Sequence, residues 1–173
     1  MIDFLMISTR SKKNGLIEIY PKFIIKKSSD LMIRGGDFYA IWIEERGLWS
    51  TDEQDALQLI DRELDRYAEE NRNRFDSNVK VLHMWDSESG MIDSWHKYCQ
   101  KQMRDSFHML DEKLIFSNTP TNKKDYASKR LGYPLEAGET PAYDKLMSTL
   151  YEEEERRKIE WAIGSIISGE SKK

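Results

Sequence analysis

At Thr51 the apolar period of this chain changes from two residues to about 3.6, and that switch constrains the fold more than any other feature of the sequence. Before it, the pattern is that of strands. "FLMIS" and "LIEIYPKFII" flank "TRSKKNG", whose Asn14-Gly15 pair tolerates positive φ and marks a hairpin. Pro21 removes a ladder donor, so the second strand is expected at an edge or broken there. Gly35-Gly36 punctuates, and a second pair follows: Tyr39 to Ile43, a turn through Glu45-Arg46-Gly47, then Leu48-Trp49.

After the switch the chain reads as helical. "TDEQ" predicts a capping box with Thr51 as N-cap and Gln54 reaching back. Leu57, Ile60, Leu64, Tyr67 and Ala68 then recur on one face to about Asn71. The periodicity predicts a second helix from Ser77 to Trp85, broken by "SESG", and a third from Met91 to Arg104 with Ile92, Trp95, Cys99 and Met103 inward. Leu114, Ile115 and Phe116 predict a short strand. A long loop from Asn118 to about Thr140 follows, and loops of that length usually carry function or touch a partner. Tyr143, Leu146, Met147 and Leu150 open a C-terminal helical pair. Its last helix carries acids in the first turn, a stripe of Ile159, Ala162, Ile163, Ile166 and Ile167, and Gly169 where a C-cap glycine belongs. The expected fold is α+β: a small antiparallel sheet packed by about five helices. The expected regions are 1–117 for the sheet and three helices, 118–140 for a basic linker, and 141–173 for the collar-like helical pair.

Composition narrows the class. With 39% hydrophobic and 34% charged residues the chain is neither disordered nor membrane-embedded, and no apolar run approaches the roughly 20 residues that span a bilayer. The N-terminus lacks the pattern of a signal peptide, and one cysteine, Cys99, excludes an internal disulfide framework; the cytoplasm is the expected compartment. A net charge of -4 argues against coating nucleic acid with the whole surface. Charge is nonetheless uneven: residues 51–76 and 131–173 are acidic, whereas 1–50 and 77–130 are mildly basic.

No catalytic constellation emerges, and the chain is expected not to be an enzyme by itself. Phosphate-binding loop, dinucleotide and zinc-protease motifs are missing, as is any Asp-x-Asp pair for two-metal chemistry. His96 and Cys99, one helical turn apart, with His83 or His108 from elsewhere, are the best available zinc ligands or cysteine-histidine pair; no metal is expected, and Cys99 reads better as a small buried hydrophobe. Two binding features remain. Lys123, Lys124, Lys129 and Arg130 sit in the long loop with Tyr126 and Tyr133 among and after them, a set that grips phosphates and stacks a base, or else a solvated loop. Phe38, Tyr39, Trp42 and Trp49 either form a stacking platform or pack the helices onto the sheet.

The stretch from Leu110 to Lys173 resembles the segment just upstream of the ATPase motor in phage and plasmid replicative primase-helicases, whose motor is a superfamily 3 helicase of the poxvirus type. The residues that carry the resemblance are Phe116 and Asn118 in "F-x-N" before the Lys-rich loop, the start Tyr143 to Leu146, and Gly164 with Gly169. Upstream, Gly47 and Trp49 match a looser Gly-x-Trp before a helix. The resemblance implies a helical N-terminal and collar portion of a ring helicase in a bacterial host cell. It also implies homo-oligomerisation through Ile159, Ile163, Ile166 and Ile167, and a weak DNA contact through Lys123, Lys124, Tyr126, Lys129 and Arg130. It places the chain's end just before the motor, so ATP and magnesium are expected only for that further segment, and neither motor nor priming residues carry over. The alternative is a stand-alone interaction protein that docks on a replication helicase and interferes with it.

Overall fold

The computed structural model describes residues 2–25, 27–75, 78–102 and 107–168. It divides into two compact units: Met1–Glu45 with Trp49–His108, and Arg46–Leu48 with Met109–Lys173. Segment 109–117, read in the sequence with the sheet, therefore clusters with the C-terminal residues. The α+β class holds, with two three-stranded sheets in place of one and, among the described residues, four α-helices in place of about five.

The first sheet has the order β1-β2-β6, with β1 at Leu5–Ser11, β2 at Ile17–Phe23 and β6 at Val79–Val81. β1 and β2 pair antiparallel from Leu5↔Phe23 to Ser11↔Ile17. β6 lies where a second helix was expected, its Val79 and Val81 alternating with polar neighbours. It pairs parallel to β2 as Ile17↔Val79 to Ile19↔Val81, so the sheet is mixed. β-branched alternation is the signal that outweighed the weak helical spacing there. Ser77, the expected start of that helix, lies outside the described residues.

That register also explains Pro21. Ile17 donates its N–H to the Asn78 carbonyl and Ile19 accepts from the Leu82 N–H, so odd-numbered residues of β2 turn toward β6. Pro21 turns the same way but falls beyond the end of β6, so its missing donor has no ladder to break. β2 is central at one end and an edge at the other.

The second sheet has the order β3-β4-β5: Leu31–Arg34, Asp37–Ile43 and Leu48–Ser50. Gly35 and Gly36 join β3 to β4 at φ of 65° and 99°, the two successive positive values that a tight hairpin demands. Helix α1 spans Glu53–Glu70. Its N-cap is Asp52, not Thr51: the Asp52 carboxylate accepts the Gln54 N–H at 2.9 Å. Its buried residues are Ala56, Leu57, Ile60 and Leu64. Helix α2, Met91–Lys101, buries Trp95, Tyr98 and Cys99; Met103, expected inward, lies outside the described residues.

The core of this unit joins Phe4, Ile19, Ile33, Ile41, Ile60, Leu64, Met84 and Trp95. Trp95 is its hub, with ring centroids of Phe4, Phe23, Phe38 and Tyr98 at 5.4–6.2 Å and its indole N–H donated to Glu53 at 2.7 Å. Of the four sheet aromatics, Trp42 and Trp49 are buried edge to face at 5.8 Å, Phe38 is half-buried against Trp95, and Tyr39 is half-buried with its ring 4.8 Å from Phe107.

In the second unit, helices α3 (Pro141–Leu150) and α4 (Glu153–Ser168) form the expected C-terminal pair. Leu114 to Phe116, expected as a short strand, has no regular secondary structure. Gly169, the expected C-cap, lies outside the described residues.

Candidate functional site

The basic segment 118–140 is a folded structure held by three clasps. The Asn118 side-chain amide donates to the Leu135 carbonyl at 2.9 Å and accepts from the Leu135 N–H at 3.0 Å, closing the segment at its far end. Asp111 receives the N–H of Ser128 at 2.6 Å, the Ser128 hydroxyl at 2.5 Å and the Lys129 N–H at 3.2 Å. Between them Lys123–Asp125 make one 3₁₀ turn, in which Asn122 accepts from Lys124 N–H and Asp125 from Asn122 N–H. Beneath lie the buried Ile115, Phe116 and Ala127, and backbone bonds from Leu131 to Ile115 and from Ser117 to Tyr133.

These clasps decide which cations are available. Arg130 is committed to structure: its guanidinium donates to Thr121 Oγ1 at 2.7 Å, and that hydroxyl donates to the Gly47 carbonyl at 2.5 Å. Gly47 sits at φ 60°, and a Cβ there would stand 3.0 Å from Thr121 Oγ1. Lys123 and Tyr126 are half-buried and already engaged, while Lys124 and Lys129 are exposed. Acids dilute the charge further. Lys113 bonds Asp125 at 2.7 Å, and this bond, with the Asn122 N–H, holds the Asp125 carboxyl below its ordinary range. The five residues named from sequence thus share one folded segment, with two of its four cations turned outward and one fixed in a turn.

The helical pair is held by Arg156. Its guanidinium bonds Asp144 on α3 and Glu160 on its own helix, the latter at 2.6 Å, and lies 5.7 Å from the ring centre of Tyr143. The hydrogen bond from Arg156 pushes the Asp144 carboxyl down and, reciprocally, the Glu160 and Asp144 bonds push Arg156 up. Of the apolar α3 stripe, Met147 alone is buried; Tyr143, Leu146 and Leu150 are exposed. On α4, Ile159 and Ile167 are half-buried, whereas Ala162, Ile163 and Ile166 face solvent, as does Trp161 at 75% exposure. Trp161 and Arg156 were missed in sequence. Trp161 lies off the isoleucine stripe, and Arg156 hides in a charge run.

The zinc candidates do not group as a metal site among the described residues. His96 is exposed and contacts Glu53 at 3.3 Å, while Cys99 is buried in the core, where burial pushes its thiol up to about 12. His83 pairs with Asp65 at 2.7 Å. Among the described residues no three His, Cys, Asp or Glu side chains group as a metal site, and no helix is long and apolar enough to cross a membrane. No family model, curated protein or solved structure matches this chain.

Proposed function

We propose that the chain is a non-catalytic module of a phage-type DNA replication helicase or primase, contributing subunit assembly through the α3–α4 pair and a weak DNA contact through the basic segment. The observation that carries this reading is the exposure of the pair's apolar stripes: Leu146, Leu150, Ile163 and Ile166 are exposed, and Met147 is the sole buried residue of α3. Burying a leucine or isoleucine fully contributes about 1.5–3 kcal/mol, and association costs at least about 4 kcal/mol. Four such side chains on each of two copies are enough for a concentration-dependent contact. Lys124 and Lys129 provide the exposed cations for phosphate, too few for tight binding by one subunit.

Sedimentation velocity over a concentration series tests the assembly. The expected result is a rising sedimentation coefficient that Ile166→Asp abolishes; a monomer at every concentration overturns it. For the DNA contact, Lys124→Gln with Lys129→Gln is expected to lower the slope of log K against log salt by about 1.4 on single strands.

A further inference from the structure

Beyond β6, the uncovered half of β2 lines a groove of about 380 Å³ whose other wall is α2. It lies wholly within the first unit, and its β2 residues are those past the last pair with β6. Small-molecule sites begin at about 300 Å³, so this groove is sized for a compact ligand.

Two properties of the lining define that ligand. Lys22 of β2 and Lys97 and Lys101 of α2 bring three exposed ammonium groups to the rim. The last two are four residues apart and so share a helix face. None of the three has an ion-pair partner among the described residues, and no acidic side chain lines the groove there. Arg10 also lines it but is already spent on Glu18 at 2.5 Å and on the face of Tyr20, 5.4 Å from the ring centre. An anion is therefore the charge that fits. Tyr20 and Phe23, both half-buried, are the rings that line it, with one face of Tyr20 covered by Arg10 and with the buried Tyr98 packed on Phe23. Phe23 and Tyr98 are 5.5 Å apart by ring centroid and packed on Trp95, so this surface is rigid as well as apolar. Rigid aromatic walls beside mobile ammonium groups suit a flat ring that carries phosphate. A peptide strand fits poorly, because Pro21 offers no donor on the open edge of β2.

We infer that this groove binds a nucleotide unit, its base against the half-buried Tyr20 and Phe23 rings and its phosphate among Lys22, Lys97 and Lys101. The unit is either a free mononucleotide or one residue of a single strand, since both present the same chemistry. The site stands on the first unit and does not depend on the assembly or the loop contact proposed above.

The test is fluorescence anisotropy of the whole chain with a labelled oligothymidylate at two salt concentrations, with thymidine monophosphate and inorganic phosphate as competitors. The variant K22Q/K97Q/K101Q is expected to lower the salt slope by about 2, and Tyr20→Leu to weaken binding roughly tenfold at unchanged slope. Circular dichroism checks that both variants fold. Displacement by thymidine monophosphate assigns the site to free nucleotide, and its failure beside intact oligonucleotide binding assigns it to a strand; each supports the inference. Inorganic phosphate competing as well as the mononucleotide overturns it, because the rings then contribute nothing. Undiminished binding by the triple-lysine variant, or no binding of any probe by the native chain, also overturns it. If K123Q/K124Q/K129Q alone loses binding, the groove falls and the loop contact stands; the reverse pattern removes the loop and keeps the groove.

Discussion

Helices α1 and α4 have similar lengths, 18 and 16 residues, and both carry apolar side chains at helical spacing, but they end in opposite environments. α1 buries Ala56, Leu57, Ile60 and Leu64 against two sheets, whereas no described side chain of α4 is buried. α4 draws support from its own length instead. Arg157 pairs with Glu153 at 2.8 Å, Lys158 with Glu154 at 3.1 Å and Arg156 with Glu160 at 2.6 Å, all four residues apart, and three glutamates occupy the first turn. A hydrophobic stripe thus specifies a face, but not what covers it. The difference is the physical basis for reading the first unit as self-sufficient in its core and the helical pair as a surface for association.

The most severe way to break this comparison is to truncate a tryptophan in each region. Trp95 is fully buried and touches four aromatic rings, so Trp95→Ala is expected to cost about 3–5 kcal/mol, read from urea unfolding. Trp161→Ala, at a largely exposed site, is expected within about 0.5 kcal/mol for the monomer. A comparable loss at both sites would mean that α4 is covered after all.

A second pair of substitutions sharpens the contrast inside the C-terminal unit. Gly47→Ala places a Cβ 3.0 Å from Thr121 Oγ1 and forces a side chain to φ 60°, so thermal unfolding is expected to show a loss of about 1–2 kcal/mol. Gly164→Ala sits inside α4 with nothing within 4 Å of the new methyl, and is expected to stabilise that helix by about 0.5–1 kcal/mol. Helicity measured by circular dichroism checks the gain. A loss there would show that a neighbour approaches α4 closely.

Legibility in the sequence followed the same divide. Where local chemistry and burial agreed, as in the β1–β2 hairpin and the buried face of α1, the elements were readable, although the N-cap of α1 fell at Asp52 instead of Thr51; Gly35-Gly36 was read as a break, and the strand before it, Leu31–Arg34, was not read. Val79–Val81 was not, because three residues are too few to establish a period and the partner strand lies some sixty residues away. Among the site residues, the basic cluster was visible as composition. The fixing of Arg130 by Thr121 and of the Lys129 backbone by Asp111 was not, since both bonds join residues that no spacing rule connects. Lys22, Lys97 and Lys101 were invisible as a set because a strand and a helix some seventy residues apart supply them.

The mildest probe is acid, and here Asp61 on α1 and Asp144 in the helical pair carry opposite signs, while Glu18 of β2, lowered first by its bond from Arg10, has the sign of Asp144. In the helical pair, the bond from Arg156 lowers Asp144 below its ordinary value of 3.8, so its stabilisation is complete above that value and lost as pH falls through the lower folded-state value. Asp125, lowered first by Lys113, behaves alike. Asp61 on α1 is raised, because burial outweighs the hydrogen bond it accepts from the Met84 N–H at 2.6 Å. Its ionisation therefore costs the fold as pH rises from 3.8 through the raised value, and acid relieves that cost. Hydrogen exchange during acidification is expected to show α3 and α4 losing protection at or below pH 3.8 while α1 keeps it, and Asp144→Asn is expected to remove the first response. Asp61→Asn retains the acceptor without the charge, so its Tm is expected to rise slightly at neutral pH and the gain to narrow in acid. Retained protection of α3 and α4 below pH 3.8, or an unchanged response in Asp144→Asn, would mean that Arg156 does not explain how the helical pair stays together without a core.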